Sequence, residues 1–162
     1  MRDIILIAHN IRSTHNVGSI FRSAECFGVS KLILTGYTPY PATPHDARLP
    51  HISQRITNQI HKTALGTELA IPFEYYEVPP LNLLISRGYT IAALEQDASS
   101  IPITSYKFGQ KTALILGEER YGITPDLLQK VDAILEIPML GTKESLNVSV
   151  ATGIALYQLR QK

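Results

Sequence analysis

Three short stretches of this 162-residue chain hold side chains able to do chemistry. Asn16 and Arg22 lie in the segment 15–28, among apolar and small residues. Glu119 and Arg120 sit in Gly117-Glu118-Glu119-Arg120-Tyr121-Gly122, immediately after an apolar run. Ser145, Asn147 and Ser149 follow Ile137-Pro138-Met139-Leu140-Gly141, with Leu146 and Val148 between them. A polar cluster at the buried start of a helix is costly unless its groups are paired or bind something. An apolar strand that breaks at a proline leaves main-chain groups and apolar side chains suited to a flat heterocycle. The two glycines of 117–122 serve a tight turn or the close approach of a ligand.

Each stretch also has a plain structural account. Asn16 and Arg22 could form a solvated helix face, and Glu119 with Arg120 a surface ion pair worth little. Ser145 could be a helix cap. Asn147, placed inside the first turn of a helix over 145–160, has no such explanation. Several known sites are absent. There is no Gly-x-Gly-x-x-Gly, no Walker-type loop and no Gly-x-Ser-x-Gly elbow. His9 and His15 lack ligand partners at metal spacing, so no metal is expected.

Fifteen basic and fourteen acidic residues leave a net charge of +1, which advertises no strong basic field. The one cysteine, Cys26, excludes an intrachain disulfide. Without a signal segment or a spanning apolar run, a cytoplasmic, membrane-free protein is expected.

The elements that must position these residues follow from periodicity. Residues 3–8 read as a strand covered on both faces. A helix over 16–27 puts Val17, Ile20, Phe21, Ala24 and Phe27 on one side and ends at Gly28, with Ser13 or Thr14 as its cap. Strands follow at 31–34, 73–78, 89–94, 112–116 and 133–137, with short helices at 80–87 and 124–131. The polar run 51–65 reads as a partly exposed helix or an ordered loop. The helix over 145–160 is apolar nearly all round, which suggests that its outer side meets a second subunit. The pattern is one α/β domain over 1–162, with a mostly parallel sheet and flanking helices.

Taken together, Asn16-x5-Arg22-x4-Phe27-Gly28, Leu116-Gly117-x-Glu119-x2-Gly122 and Ile137-Pro138-Met139-x-Gly141-x3-Ser145-Leu146-Asn147-Val148-Ser149-x-Ala151 resemble the three signature motifs of the SpoU-type (TrmH-like) methyltransferases of the SPOUT superfamily. Residues 62–66 extend the likeness. The resemblance implies S-adenosylmethionine as methyl donor and an RNA ribose 2′-hydroxyl as acceptor. It implies a deep C-terminal trefoil knot, a topology general rules would reject. It also implies an obligate homodimer packed through the first and last helices. Carried over by position, Asn16, Arg22, Glu119, Ser145 and Asn147 become the catalytic set. Leu94, Glu95, Leu116, Gly117, Ile137, Met139, Leu140 and Leu146 become the donor site, acting largely through main chain.

With the first strand almost at the start of this sequence, RNA recognition is expected to come from the knot dimer itself, through Arg12, Arg48, Arg55, His61 and Lys62. That minimal form favours tRNA over rRNA. The alternatives are an rRNA 2′-O-methyltransferase and a non-catalytic RNA-binding knot subunit. Arg22 could act as base or as electrostatic stabiliser, and a guanidinium, with a pKa above ~12, is better suited to the second.

Overall fold

The apolar run at the N-terminus forms β1 (Asp3–His9), and it is continuous because both of its faces are covered. In the computed structural model, which describes residues 1–161, Ile4, Leu6 and Ala8 belong to the core on one face of a sheet, and Ile5 and Ile7 to that on the other. The chain continues through α1 (Thr14–Cys26), β2 (Lys31–Thr35), α2 (Pro50–Ala64), α3 (Thr67–Ala70), β3 (Phe73–Tyr76), α4 (Leu81–Ser86) and β4 (Thr90–Leu94). It ends with β5 (Ile101–Pro102), β6 (Lys111–Leu116), α5 (Pro125–Leu128), β7 (Ala133–Glu136) and α6 (Val148–Arg160). The strands pair parallel in the order β3-β2-β1-β6-β4-β7-β5. Helices α1, α2 and α6 supply Val17, Phe21, Ile60 and Leu156 to the first core, and α4 and α5 supply Leu84 and Leu127 to the second.

Helix α1 starts where a serine can cap it: the Ser13 hydroxyl accepts from the Asn16 amide. It ends at Gly28, whose φ of +61° lets the chain turn back and its amide reach Glu25 O. Helices α1 and α2 approach so closely that a Cβ on Gly18 would lie 2.3 Å from Ile60 O and 2.2 Å from Thr63 Oγ1. The periodicity of the sequence does not single out that glycine.

Two ends of the chain lock each other at the amino edge of the sheet. Arg160 donates to Phe27 O at 2.7 Å, Arg2 O at 2.7 Å and Gly28 O at 2.5 Å, so it caps the C-terminus of α1. Arg2 in turn donates to Leu159 O and Gln161 O, both at 2.6 Å, at the C-terminus of α6.

Of the two readings of 51–65 the helix is the one formed, as α2, with Pro50 in its first turn and left-handed Leu65 (φ +54°) at its end. The structure departs from the sequence expectations in three other places. The short β5 and α3 were not expected, since two and four residues carry no periodicity. Helix α5 stops at Leu128 rather than 131. Most important, α6 begins at Val148 and not at Ser145: Asn147 is its N-cap, its side chain accepting from the Ser149 amide. The structural role denied to Asn147 therefore exists, and Ser145 is no cap.

Candidate active site

The carboxyl ends of β4, β6 and β7 and the start of α6 surround a cavity of about 350 Å³. Open parallel sheets bind ligands at this edge. Leu94, Glu95, Leu116, Gly117, Ile137, Met139, Ser145 and Leu146 line it, as does Glu119. Leu140 does not: its side chain is fully exposed.

The turn 117–122 is shaped by its own packing. A Cβ on Gly117 would lie 2.5 Å from Ile123 Cγ1, and one on Gly122 only 2.3 Å from Glu95 Oε2. Gly122 also has a φ of +67°. Of the two reasons for glycine here, a chain folded tightly on itself is the one the contacts support. Glu95 holds the turn in place, accepting from the Ile123 amide at 2.8 Å and the Gln96 amide at 2.9 Å.

That turn presents Glu119 to the start of α1. The carboxylate accepts from Asn16 Nδ2 at 2.8 Å, the Arg12 amide at 3.0 Å and the Ser13 amide at 3.4 Å. Burial opposes its ionisation, but these donors outweigh burial and hold its carboxyl below the ordinary value. Asn16 Oδ1 accepts from Asn147 Nδ2 at 3.1 Å, and Asn147 Oδ1 accepts from Ser149. One hydrogen-bonded chain, Glu119–Asn16–Asn147–Ser149, thus joins the three stretches singled out in the sequence. Each amide has its donor and acceptor ends used, so its orientation is fixed.

Arg22 is not part of this chain. It is exposed and does not line the cavity. Six residues of helix rotate it roughly 120° from Asn16, so the two cannot share a face. Next to the cluster, His9 Nδ1 is 2.8 Å from the buried Thr35 hydroxyl and its Nε2 is 3.1 Å from Asn10 Nδ2. Burial pushes the His9 imidazole down from its usual value.

Glu118 was missed by the sequence reading. It is 6% exposed and lines the cavity. Its Oε2 accepts from the amides of Arg120, at 3.1 Å, and Tyr121. Its only signal in the sequence is its place directly beyond the strand end and its glycine.

Two of the side chains expected to contact RNA are engaged elsewhere. Arg48 is held 2.5 Å from Asp46, donates to Tyr40 O at 2.9 Å and lies over the Tyr40 ring. His61 Nδ1 is 2.5 Å from Glu68, a buried carboxylate. Arg12, Arg55 and Lys62 are exposed. Among the described residues, no group of three or more His, Cys, Asp or Glu is arranged to hold a metal ion, and no helix is long and apolar enough to cross a membrane.

Comparison with known proteins places this geometry. A tRNA (guanosine(18)-2′-O)-methyltransferase of Aquifex aeolicus is 31% identical over 161 residues, covering 99% of this chain and 70% of the relative. The 23S rRNA (guanosine-2′-O-)-methyltransferase RlmB of Acinetobacter baylyi is 27% identical over 155 residues, covering 96% of this chain and 58% of the relative. The crystal structure of the A. aeolicus TrmH/SpoU tRNA modifying enzyme superposes with a TM-score of 0.77 and 28% identity, over 98% of this chain and 74% of that one. The chain thus spans between somewhat over half and about three quarters of these relatives. With the SpoU rRNA Methylase family model matching residues 3–157, nearly its whole length, the chain belongs to that family.

Proposed function

We propose that this chain methylates the ribose 2′-hydroxyl of an RNA, with S-adenosylmethionine as donor. The observation that carries the reading is the chain Glu119–Asn16–Asn147, three side chains from three elements meeting beside a cavity at the strand ends. The cavity fits the donor. Leu94, Leu116, Ile137 and Leu146 offer apolar contact to a flat base, and carboxylates including Glu118 and Glu119 suit a cationic ligand. When bound, the donor supplies a methyl group on a positively charged sulfur. The protein's task is to align the hydroxyl with it and stabilise the oxygen as its proton leaves. Glu119 and Asn16 orient the ribose, Asn147 fixes Asn16, and Ser145 steadies the loop before α6. Arg22 stabilises the developing alkoxide.

Arg22 is remote from the cavity of its own protomer, and a homodimer packed through α1 and α6 answers this. Val150, Ile154 and Tyr157 of α6 are 50%, 40% and 59% exposed, an apolar stripe that a second copy would cover. Arg22 then meets the reacting hydroxyl in the assembled site. A deep knot also fits the strand register. Leu135 of β7 pairs with both Leu94 and Ile101, so the segment 95–100 bridges the end of β7, from which the chain runs on to α6. We read the chain as one domain, acting in the cytoplasm.

RNA binding is assigned to the outer face of α2 and to the loop that precedes α1. No carboxylate occurs between Asp46 and Glu68 or between Asp3 and Glu25, although the chain is nearly neutral overall. Exposed Arg55 and Lys62 lie along α2, and the Thr63 hydroxyl next to Lys62 donates to His15 O, beside Asn16. A backbone-tracking positive strip therefore leads to the catalytic cluster. tRNA is preferred, because the tRNA relative is the more similar of the two compared. An rRNA substrate is the second reading, on the strength of the 23S rRNA relative.

Methyl transfer from labelled S-adenosylmethionine to separate tRNA and rRNA pools, from cells lacking the gene, tests the reading. Label recovered in a 2′-O-methylnucleoside of tRNA supports it. Label in rRNA keeps the chemistry and changes the substrate. Donor binding with no transfer to either pool rejects the enzyme in favour of a non-catalytic RNA-binding subunit.

A further inference from the structure

The walls of the cavity are acidic: among the described residues Glu95, Glu118, Glu119, Glu136 and Glu144 line it, against one cation, Arg120. Most of these carboxylates are occupied or wet. Both oxygens of Glu95 and both of Glu119 accept hydrogen bonds from the protein. Glu136 accepts from the Ser100 hydroxyl at 2.9 Å, and Glu144 is exposed.

Glu118 differs from all of them. It is 6% exposed, and its two hydrogen bonds both fall on Oε2. Its Oε1 is buried with no hydrogen-bond partner among the described residues. A buried carboxylate oxygen without a donor is costly, and it leaves part of the carboxylate's capacity to attract a cation unused beside the cavity.

We propose that Glu118 determines specificity by charge, favouring the cationic methyl donor over the product left after transfer. This rests on the methyltransferase reading above. Donor and product share the adenosine and the amino-acid group. They differ in the methyl and in the charge on sulfur, positive in the sulfonium and absent in the thioether. Shape separates the two poorly, whereas a buried negative charge separates them directly. The effect needs no hydrogen bond, since it acts through space and strengthens where water is excluded. Its consequence is product release, because the attraction ends when the charge on sulfur is lost.

Glu118 also holds the turn through Oε2, so truncation would mix two roles. Glu118→Gln separates them, since the amide oxygen can still accept from Arg120 and Tyr121 while the charge is gone. Titration calorimetry on the wild-type chain and this variant uses S-adenosylmethionine, S-adenosylhomocysteine and sinefungin, in which an amine-bearing carbon replaces the sulfonium. The expected result is about a tenfold loss of affinity for the two ligands charged at that position. Affinity for S-adenosylhomocysteine stays within about twofold. Equal weakening of all three ligands, or no change in any, overturns the inference while leaving the methyltransferase reading intact. Wild-type protein that binds none of them overturns both.

Discussion

The two edges of the parallel sheet are built to opposite rules. At the amino edge polar groups are used up within the chain: Arg160 caps α1, Arg2 donates to the end of α6, and Asp3 accepts from both Ser30 and Tyr89. At the carboxyl edge Arg120 is exposed, Glu118 keeps an oxygen without a partner among the described residues, and Leu140, Leu146 and Tyr121 face solvent. Groups satisfied internally stabilise a fold. Groups left over are available to ligands, and their number at one edge marks where stability is given up for binding.

The contrast can be broken by exchanging the kind of damage done at each edge. The largest effect is expected from Arg22→Ala, which should lower kcat by roughly 10²–10³. Donor affinity by calorimetry and Tm should barely move. Equal loss of turnover and donor binding would reject the role given to Arg22.

Arg160→Ala should do the reverse. Losing three bonds to carbonyls is expected to cost about 2–4 kcal/mol in denaturant unfolding. Activity per folded molecule should be retained.

Asn147 sits at the border between the two kinds of group, because one side chain caps α6 and orients Asn16. Asn147→Asp keeps the capping oxygen and replaces the amide donor with an acceptor facing Asn16 Oδ1. Stability should change by less than about 1 kcal/mol, while kcat falls by at least ~10-fold. If stability and rate fall together, the cap alone explains the residue.

The smallest effect is a pH dependence at the amino edge. Burial, then the bond to Asp3, push the Tyr89 hydroxyl up to about 12. The unfolded chain loses this proton near 10 and the folded chain only near 12, so the stabilisation is complete below 10 and disappears as pH rises through that window. Urea unfolding of wild type and Tyr89→Phe should converge across it. The carboxyl edge has a counterpart of opposite sign in His9, whose lowered value makes stability fall as pH drops through about 6.5.

What could be read directly from the residues was local or periodic. The doubly covered β1, the amphipathic α1 with its serine cap and terminal glycine, and the parallel α/β class all follow from short-range patterns. The polar residues that matter were also visible, because Asn16, Glu119 and Asn147 stand out against apolar neighbours at element ends. Their connection was not. Asn16 and Glu119 are 103 positions apart and Asn16 and Asn147 are 131 apart, and only the order of strands brings them within hydrogen-bond reach. The same applies to Gly18 and Gly122, whose need for a missing side chain is set by Ile60, Thr63 and Glu95 from other elements. It applies again to Arg48 and His61, which the chain presents as free polar contacts and the fold pairs with Asp46 and Glu68. Glu118 is the clearest case. One of two adjacent glutamates is tied down and exposed, the other buried with an unused oxygen, and nothing in two identical side chains distinguishes them. Side-chain type and spacing decide which chemistry is possible, while satisfaction of each polar group depends on distant neighbours that only the folded chain supplies.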